Sequence, residues 1–407
     1  MRGTTMGLVG CLLAGLGLGC DDGGEGGGGV GPAGPCQAVG DPIALPAASR
    51  FKAAAHGDGY LVVAEEGGFG SGQWGTTVIG ADGQTTHVDG APGRDPLALV
   101  GGEVALGLGL GTRFDFEEEV AVRAFASDGW AAPAEGFSAA PPAEAELFND
   151  EVALALGADG TLVVAWSAGR PTLEGSQVWV HLKRPGEPLG AAELVFAPMV
   201  GVRDTALHLA VAADGAVHLG VTARTGDTVS LLHKVREVDG RWVGPAHVGP
   251  VPDAVGNATM TGLVGGPAGV FAMEAHGADY AAGTDGATVF YRLEGEAWAE
   301  LGRVGDDRPV VVGASAAALP DGVVAAVGYG QNNLDYQESR DTVELLRCSP
   351  AGCGRALVVA PTPGVFYDNP VVVTRGDAGL VVWAAEGKGP DGVEATWAQR
   401  FRCPAAE

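Results

Sequence analysis

The stretch Ala206–Ala223, ALHLAVAADGAVHLGVTA, decides the fold of this chain. Two apolar runs flank Asp214-Gly215, and Asp-Gly between such runs is the strongest short-range signal for a β-hairpin. A tight primed turn needs positive φ angles, which glycine tolerates best and aspartate better than most residues. The stretch therefore predicts two antiparallel strands that are joined by a tight turn.

Versions of this hairpin recur along the chain at intervals of 43 to 58 residues. The glycines that end the first turn of each period are Gly59, Gly102, Gly160, Gly215, Gly269, Gly322 and Gly379. A second set of turns follows in the same phase at Asp82-Gly83, Asp128-Gly129, Pro185-Gly186, Asp239-Gly240 and Glu294-Gly295. Each period therefore contains four strands, named A to D in chain order, and no convincing helical periodicity interrupts them.

Four antiparallel strands repeated at this spacing are typical of a β-propeller blade. The sequence predicts an all-β fold, a seven-bladed β-propeller of four-stranded antiparallel blades. Two consecutive β-sandwiches are the alternative, but they would not require one phase across seven periods. The chain lacks the WD and kelch signatures. Ala126–Trp130 resembles a sialidase Asp-box in residue types but not in spacing. The fold does not give the activity, because propellers host many functions.

The cysteines predict how the ring closes. Cys348 and Cys353 flank the C–D turn of the sixth period. Cys403 falls where Cys348 falls, at the end of strand C, and Cys36 falls where Cys353 falls, at the start of strand D. We therefore expect Cys36–Cys403 and Cys348–Cys353 disulfides, with residues 36–45 completing the last blade. Free or metal-binding thiols are the alternative, which the short spacing without a nearby histidine disfavours.

The N-terminus is typical of an export signal. Arg2 precedes an apolar run over residues 6–18, which is too short and glycine-rich for a good membrane span. Residues 1–19 are predicted to be a signal peptide, residues 20–35 a disordered Gly-rich tether, and residues 36–407 the propeller. Export would place the cysteines in an oxidising compartment.

Cys20 with the small residue Gly19 before it resembles a bacterial lipoprotein signal. The whole chain resembles propeller-type lipoproteins of GC-rich Gram-negative, myxobacterial-like bacteria. The resemblance lies in the signal sequence, the Gly-rich tether and the spacing of the repeats. The resemblance implies that Cys20 is lipidated and anchors the protein to a lipid bilayer of the cell envelope, at the outer membrane or the periplasmic face. Lipidation at Cys11 and ordinary cleavage with secretion are the alternatives.

The charge excludes one class of partner. The chain has 24 Lys and Arg against 50 Asp and Glu, a net charge of −26. Binding to a nucleic-acid backbone depends on Lys and Arg that neutralise phosphates. We therefore expect no nucleic-acid partner.

Long B–C loops offer candidate ligand-binding residues, because binding residues often lie on loops of a rigid scaffold. Aromatic rings beside carboxylates and amides suit contact with a sugar or a peptide. The candidates are Trp74, Phe114, Asp115, Phe116, Tyr280, Tyr329, Asn332, Asn333, Asp335 and Tyr336. Packing of these aromatics beneath their own loops is the alternative.

A second candidate group lies where each strand A begins, at one mouth of the central channel. Its members are Asp95, Asp150, Asp204, Asn257, Asp307 and Asp368. Their oxygens suit Ca²⁺, but the chain has no compact calcium loop, and Asp and Asn also begin turns for local reasons. We expect no cofactor and keep Ca²⁺ as the alternative. Four arginines stand near the same entries, namely Arg50, Arg94, Arg203 and Arg308. They superficially resemble a sialidase carboxylate clamp, but we expect them to form ion pairs with adjacent aspartates.

No motif assigns a reaction. The chain contains no G-x-S-x-G, no clustered metal-ligand histidines and no phosphate loop. The sequence favours an envelope-anchored lipoprotein that binds or scaffolds an extracytoplasmic glycan, peptide or protein, without catalytic residues. The alternative is an extracytoplasmic hydrolase of glycosidase or sialidase type that uses the channel-mouth carboxylates as acid and base.

Overall fold

The structure, a computed structural model, describes most of the chain from residue 35 onwards. The described ranges are 35–66, 73–92, 96–101, 106–110, 119–126, 129–131, 135–138, 152–168, 177–197, 202–225, 228–248, 259–276, 286–306, 310–330, 342–360, 366–386 and 395–405. Their regular elements are 29 β-strands. Within these ranges there is no helix with the length and apolarity needed to cross a membrane.

The strands form seven antiparallel sheets, which are the blades of a β-propeller. Each blade begins with its innermost strand, A. Blade 1 is β2 (Ala48–His56), β3 (Gly59–Glu66), β4 (Gln73–Ile79) and β5 (Thr85–Asp89). Blade 2 is β6 (Pro96–Val100), β7 (Leu106–Leu110), β8 (Glu119–Ala126) and a strand D in two parts, β9 (Gly129–Trp130) and β10 (Glu135–Ser138). Blade 3 is β11 (Val152–Leu156), β12 (Leu162–Ala168), β13 (Gln177–Lys183) and β14 (Glu193–Phe196).

The remaining blades follow the same order. Blade 4 is β15 (Val202–Val211), β16 (Val217–Thr225), β17 (Thr228–Arg236) and β18 (Trp242–Val248). Blade 5 is β19 (Thr259–Gly266), β20 (Gly269–His276), β21 (Gly286–Glu294) and β22 (Ala297–Asp306). Blade 6 is β23 (Val310–Leu319), β24 (Gly322–Gly330), β25 (Thr342–Ser349) and β26 (Gly352–Ala360). Blade 7 is β27 (Phe366–Arg375), β28 (Ala378–Glu386), β29 (Ala395–Arg402) and the N-terminal β1 (Gln37–Leu45).

The blades pack side by side into a closed ring, in which the A strands contact one another in sequence and β27 contacts β2. A hydrophobic cluster fills each space between neighbouring blades. In blade 1, Val62 packs toward blade 7, whereas Leu61 and Val63 pack toward blade 2. The near-continuous apolar B strands follow from this arrangement, because each sheet is buried on both faces.

The Asp-Gly turns differ from the predicted two-residue primed turn. In Ala206–Ala223, the backbone N–H of Gly215 donates to the carbonyl of Ala212, and the N–H of Ala212 donates to the carbonyl of Ala216. Gly215 adopts a φ of 88°, and the Asp214 carboxylate accepts from the backbone N–H of Ala216 at 3.0 Å. The aspartate thus stabilises the turn through its side chain, and the glycine alone supplies the positive φ. The same arrangement recurs at Asp82, Asp159 and Asp239.

The predicted closure is confirmed. Strand β1 pairs with β29 as strand D of blade 7, which joins the two chain ends in one sheet. Disulfides link Cys36 to Cys403 and Cys348 to Cys353. The predicted seven-bladed propeller is therefore the observed fold. The signal peptide and residues 20–34 of the tether lie outside the described residues, so those assignments stay predictions.

Candidate functional site

The two ends of the ring differ. The A–B and C–D turns lie at one end, which we call the hairpin end, and the B–C and D–A connections lie at the other, the open end. Near the open end the pairing of strands A and B is irregular in five blades, as at Ala48/Phe51, Asp204/Ala206 and Asp368/Val371. Such bulges bend a strand and redirect its side chains.

Blade 1 presents a charged and aromatic group at the open end, formed by Arg50, Glu65 and Trp74 and here named the blade-1 cluster. Glu65 is fully buried, and its Oε2 lies 2.7 Å from the Nε of Arg50. The guanidinium carbon of Arg50 lies 5.3 Å from the centre of the Trp74 ring. The Arg50 side chain is 40% exposed, so a fixed cation faces solvent above a buried carboxylate.

Strand geometry explains why these three side chains meet. Glu65 and Trp74 are directly opposite in the β3–β4 pairing. Glu65 continues the face of Leu61 and Val63, which packs toward blade 2 with Trp74. A buried carboxylate is costly unless it is paired, and the bulge in β2 brings Arg50 to it. Arg50 therefore pairs with Glu65 on the next strand, a partner that differs from the adjacent aspartates expected from the sequence.

Polar groups also lie on the opposite face of the blade-1 sheet, the one that packs toward blade 7. The Nε2 atom of His87 lies 3.6 Å from a carboxylate oxygen of Glu66 and 3.6 Å from one of Asp89. Glu66 and His87 both lie over Gly75, where any side chain would meet them. The glycine thus keeps this part of the blade open for the two polar side chains.

Blade 3 carries a second aromatic group near the open end, the blade-3 tryptophan pair of Trp166 and Trp179. Their rings stack with centres 5.9 Å apart and an interplanar angle of 13°. The indole N–H groups of Trp74, Trp166 and Trp179 are buried, and within the described ranges they have no hydrogen-bond acceptor. Buried polar groups without partners are uncommon in folded proteins and require an explanation.

Two further carboxylates are buried toward the open end. Glu274 lies 3.7 Å from Nε2 of His276 and interacts with Tyr291, whose pKa is raised by burial and by this carboxylate. Glu344 pairs with Nε of Arg355 at 3.2 Å. Together with Glu65, these carboxylates belong to three different blades, and each has its own neighbour.

The sequence-predicted ligand residues are only partly described. The loop position predicted for Trp74 and Tyr329 is wrong, because both lie in strands. Trp74 lies in β4 and is partly buried, and Tyr329 lies inside β24 and is 1% exposed. Asp204 and Asp368 lie in the irregular parts of β15 and β27 near the open end. The other candidates lie outside the described residues, namely Phe114, Asp115, Phe116, Tyr280, Asn332, Asn333, Asp335, Tyr336, Asp95, Asp150, Asn257 and Asp307.

Sequence reasoning did not single out Glu65, Glu274 or the blade-3 tryptophan pair. A signal for the two glutamates exists, because VVAEE and FAMEAH each place an acid at the end of a buried strand B. In the part of the chain that the structure describes, no group of three or more His, Cys, Asp or Glu side chains is arranged to hold a metal ion. The Ca²⁺ alternative concerned residues whose side chains are not described.

Comparisons with known proteins give the fold and no family. No protein-family model and no curated protein matches the chain. Among solved structures, the polysaccharide lyase Uly1 is 9% identical, with a TM-score of 0.52 over 89% of this chain and 91% of that one. The α-L-arabinanase of Penicillium chrysogenum is 9% identical, with a TM-score of 0.45 over 90% and 98%. At this identity the likeness to the lyase shows a shared fold alone.

Proposed function

We propose that this protein is an exported β-propeller that is tethered to the cell envelope and binds an extracytoplasmic glycan at the open end of its ring. The blade-1 cluster is the observation that carries the proposal. It holds a guanidinium and an indole in fixed positions above a buried carboxylate. A few placed polar groups among aromatic side chains are the usual composition of a small-molecule site.

The chemistry of a sugar matches this group of side chains. Sugar hydroxyls accept hydrogen bonds from a guanidinium, and the C–H face of a pyranose packs on planar aromatic side chains. The exposed part of Arg50 supplies charge-assisted donors, and burial of Glu65 keeps the guanidinium in place.

The described buried carboxylates are already engaged in local pairs, which suits a binding site. Glycoside hydrolysis by two carboxylates needs them about 5 to 9.5 Å apart across the scissile bond. The buried carboxylates of the described residues are distributed over three blades and pair locally, as Glu65 does with Arg50. A hydrolase would instead depend on the predicted channel-mouth aspartates.

A glycan panel with the soluble propeller tests this function. We expect the parent to bind at least one glycan and the Arg50→Gln, Glu65→Gln double variant to bind it about tenfold more weakly, because a charge-assisted hydrogen bond is lost without leaving a buried unpaired carboxylate. Arg303→Gln is the matched control, since Arg303 also pairs with a glutamate through Nε, at 3.2 Å from Glu300. Equal binding by parent and double variant would contradict the proposed site.

The same panel separates binding from catalysis. The proposal expects glycans to be recovered intact after incubation with the parent. Release of new reducing ends by the parent, abolished in Asp150→Asn or Asp204→Asn, would overturn the binding interpretation in favour of the hydrolase.

Two disulfides support export, because such bonds form and persist in oxidising compartments. The tether is tested in the full chain. Cys20→Ser is expected to abolish metabolic lipid labelling and to release the protein in soluble form. Unchanged labelling of that variant would move the anchor to Cys11 or another cysteine.

A further inference from the structure

Blade 4 turns three histidines toward blade 5. His208 pairs with Gly220 in the β15–β16 register, and Gly220 pairs with His233 in the β16–β17 register. His218 lies two residues before Gly220 and therefore shares this face. The face packs on blade 5 through a cluster that includes Leu231 and Val270. The protein has eight histidines, so this one joint between blades holds a large share of them.

Two of these histidines form a hydrogen-bonded relay with a tryptophan of blade 5. The Nε1 atom of Trp298, in β22, lies 3.3 Å from Nδ1 of His233. The Nε2 atom of His233 lies 3.0 Å from Nδ1 of His218, and the two rings are nearly parallel. We name these three residues the histidine relay.

The direction of the relay follows from its first donor. An indole N–H can only donate, so Nδ1 of His233 accepts from Trp298. Neutral His233 then carries its proton on Nε2 and donates it to Nδ1 of His218. His218 in turn carries its proton on Nε2. Both imidazoles must be neutral for both hydrogen bonds to exist.

Burial also favours the neutral forms. His218 and His233 are each 4% exposed. Burial lowers the pKa of His218 to about 4, an effect that Asp214 partly opposes. Burial and the neighbouring His218 lower the pKa of His233 to about 3. Burial lowers the pKa of His208, which is bonded to Thr222 at 3.1 Å, to about 4.

Other ionisable groups border the same joint. Blade 4 contributes His208 on β15 and Asp214 in the A–B turn. From blade 5, Glu274, Tyr291 and Glu300 face blade 4, as the strand register places them beside the packed residues of that face. At the hairpin end, Glu296 of blade 5 lies near the Arg241–Glu237 pair of blade 4. Only Asp214 among these carboxylates acts on the pKa of a relay histidine.

We propose that the histidine relay makes the joint between blades 4 and 5 a proton-sensitive contact, which loosens in mild acid while the rest of the ring stays closed. A proton from solvent on Nδ1 of His233 removes the acceptor of the Trp298 N–H. A proton on Nδ1 of His218 places this N–H opposite the Nε2–H of His233, so that neither nitrogen can accept a hydrogen bond. Uptake of two protons converts both imidazoles to imidazolium ions and breaks both hydrogen bonds.

The direction of the pH effect follows from linkage. The unfolded or opened chain binds these protons near pH 6.5, whereas the closed joint binds them only near pH 4 or below. Between those values the opened state holds more protons. The contribution of the relay is therefore fully present above pH 6.5 and is lost as the pH falls from 6.5 toward 4.

Hydrogen exchange on the soluble propeller at pH 7.5 and 5.5 tests the proposal, after correction for the intrinsic pH dependence of exchange. Peptides from β17 and β22 are expected to exchange about tenfold faster at pH 5.5, which is the linkage effect of one histidine, and more if both contribute. Peptides from β28 and β29 are expected to change less. Equal acceleration in both pairs of strands, or none in β17 and β22, would overturn the proposal.

Variants assign the effect to the relay. His218→Gln with His233→Gln keeps hydrogen-bonding groups that do not titrate, and we expect the acid acceleration to fall to the part that His208 contributes. His247→Gln is the matched control, because His247 lies on β18 of the same blade and is exposed. If the double variant does not fold, ¹⁵N histidine spectra of the parent decide. Imidazoles of His208, His218 and His233 that stay neutral to pH 5 support the relay, and titration of all the imidazoles near pH 6.5 contradicts it.

Discussion

The joint that closes the ring and the joint that carries the histidine relay hold neighbouring blades in different ways. The closing joint lies between blades 7 and 1. The Cys36–Cys403 disulfide holds β1 beside β29 within blade 7, and β1 leads directly into β2 of blade 1. The buried hydroxyl of Thr396 in blade 7 bonds both backbone groups of Ala48 in blade 1, at 2.9 and 3.1 Å. None of these groups titrates between pH 4 and 8. The histidine relay joins blades 4 and 5 through imidazoles, which bind protons near pH 6.5 once the joint opens.

This difference relates to the path of the chain. Blades 4 and 5 follow each other directly along the chain, so the backbone still connects them when their packed faces separate. Blade 7 combines the N-terminal strand β1 with the last three strands, and without the Cys36–Cys403 disulfide β1 would be held there by noncovalent contacts alone. A ring can therefore tolerate a titratable contact at an internal joint, whereas its closure is built from contacts that pH does not alter.

The largest expected effect comes from breaking the closing joint. Cys36→Ser opens a loop of 367 residues in sequence separation, and the chain-entropy model assigns such a cross-link on the order of 5 kcal/mol. Cys353→Ser opens a separation of 5 residues, worth roughly 2 kcal/mol in that model. We expect the melting temperature to fall by about 6 °C and about 3 °C respectively. Calorimetry at pH 7.5 measures both, and an equal or reversed order would contradict the role given to closure.

The contacts at the two joints could not be predicted equally well from the sequence. Closure could be predicted because the cysteines share a phase with the repeat, so Cys36 and Cys403 align with Cys353 and Cys348. The histidine relay could not, since His218, His233 and Trp298 come together only through strand register and the packing of two blades. Periodicity along the chain specifies which strands pair, but not which polar side chains meet across a joint.

The candidate site shows the same limit. The sequence placed Trp74 in the B–C loop of the first period, whereas the structure has it in β4, the strand that follows this loop. Sequence reasoning also missed the pairing of Arg50 with Glu65, which depends on a bulge in β2 that redirects the arginine. Local irregularities of this kind leave no periodic trace, although they determine which charges become partners.

A smaller effect is expected from the hydroxyl at the closing joint. Thr396→Val keeps the shape of the side chain but leaves the buried N–H of Ala48 without its acceptor, at a cost of about 1 to 3 kcal/mol. We expect this loss in urea unfolding to be the same at pH 7.5 and 5.5, because no titrating group is removed. Thr85→Val, on the exposed outer strand of blade 1, is the control and should change stability little. A loss that grows in acid would remove the contrast between the two joints.

The smallest expected effect separates charge from hydrogen bonding at the relay. Asp214 accepts from the N–H of Ala216 and also raises the pKa of His218, against the larger lowering by burial. Asp214→Asn keeps an acceptor for the turn but removes the charge, so the pKa of His218 should fall further. The free energy of unfolding at pH 7.5 is then unchanged within a few tenths of a kcal/mol, because His218 is neutral there. The loss of stability between pH 6.5 and 4.5 becomes slightly larger.

The control is Asp82→Asn, which changes the same type of turn in blade 1. No relay histidine lies there, so this variant should leave the acid dependence as it is. Urea unfolding of both variants across this pH range measures the difference, and a parallel acid dependence in Asp214→Asn and Asp82→Asn would show that the aspartate does not act on the relay.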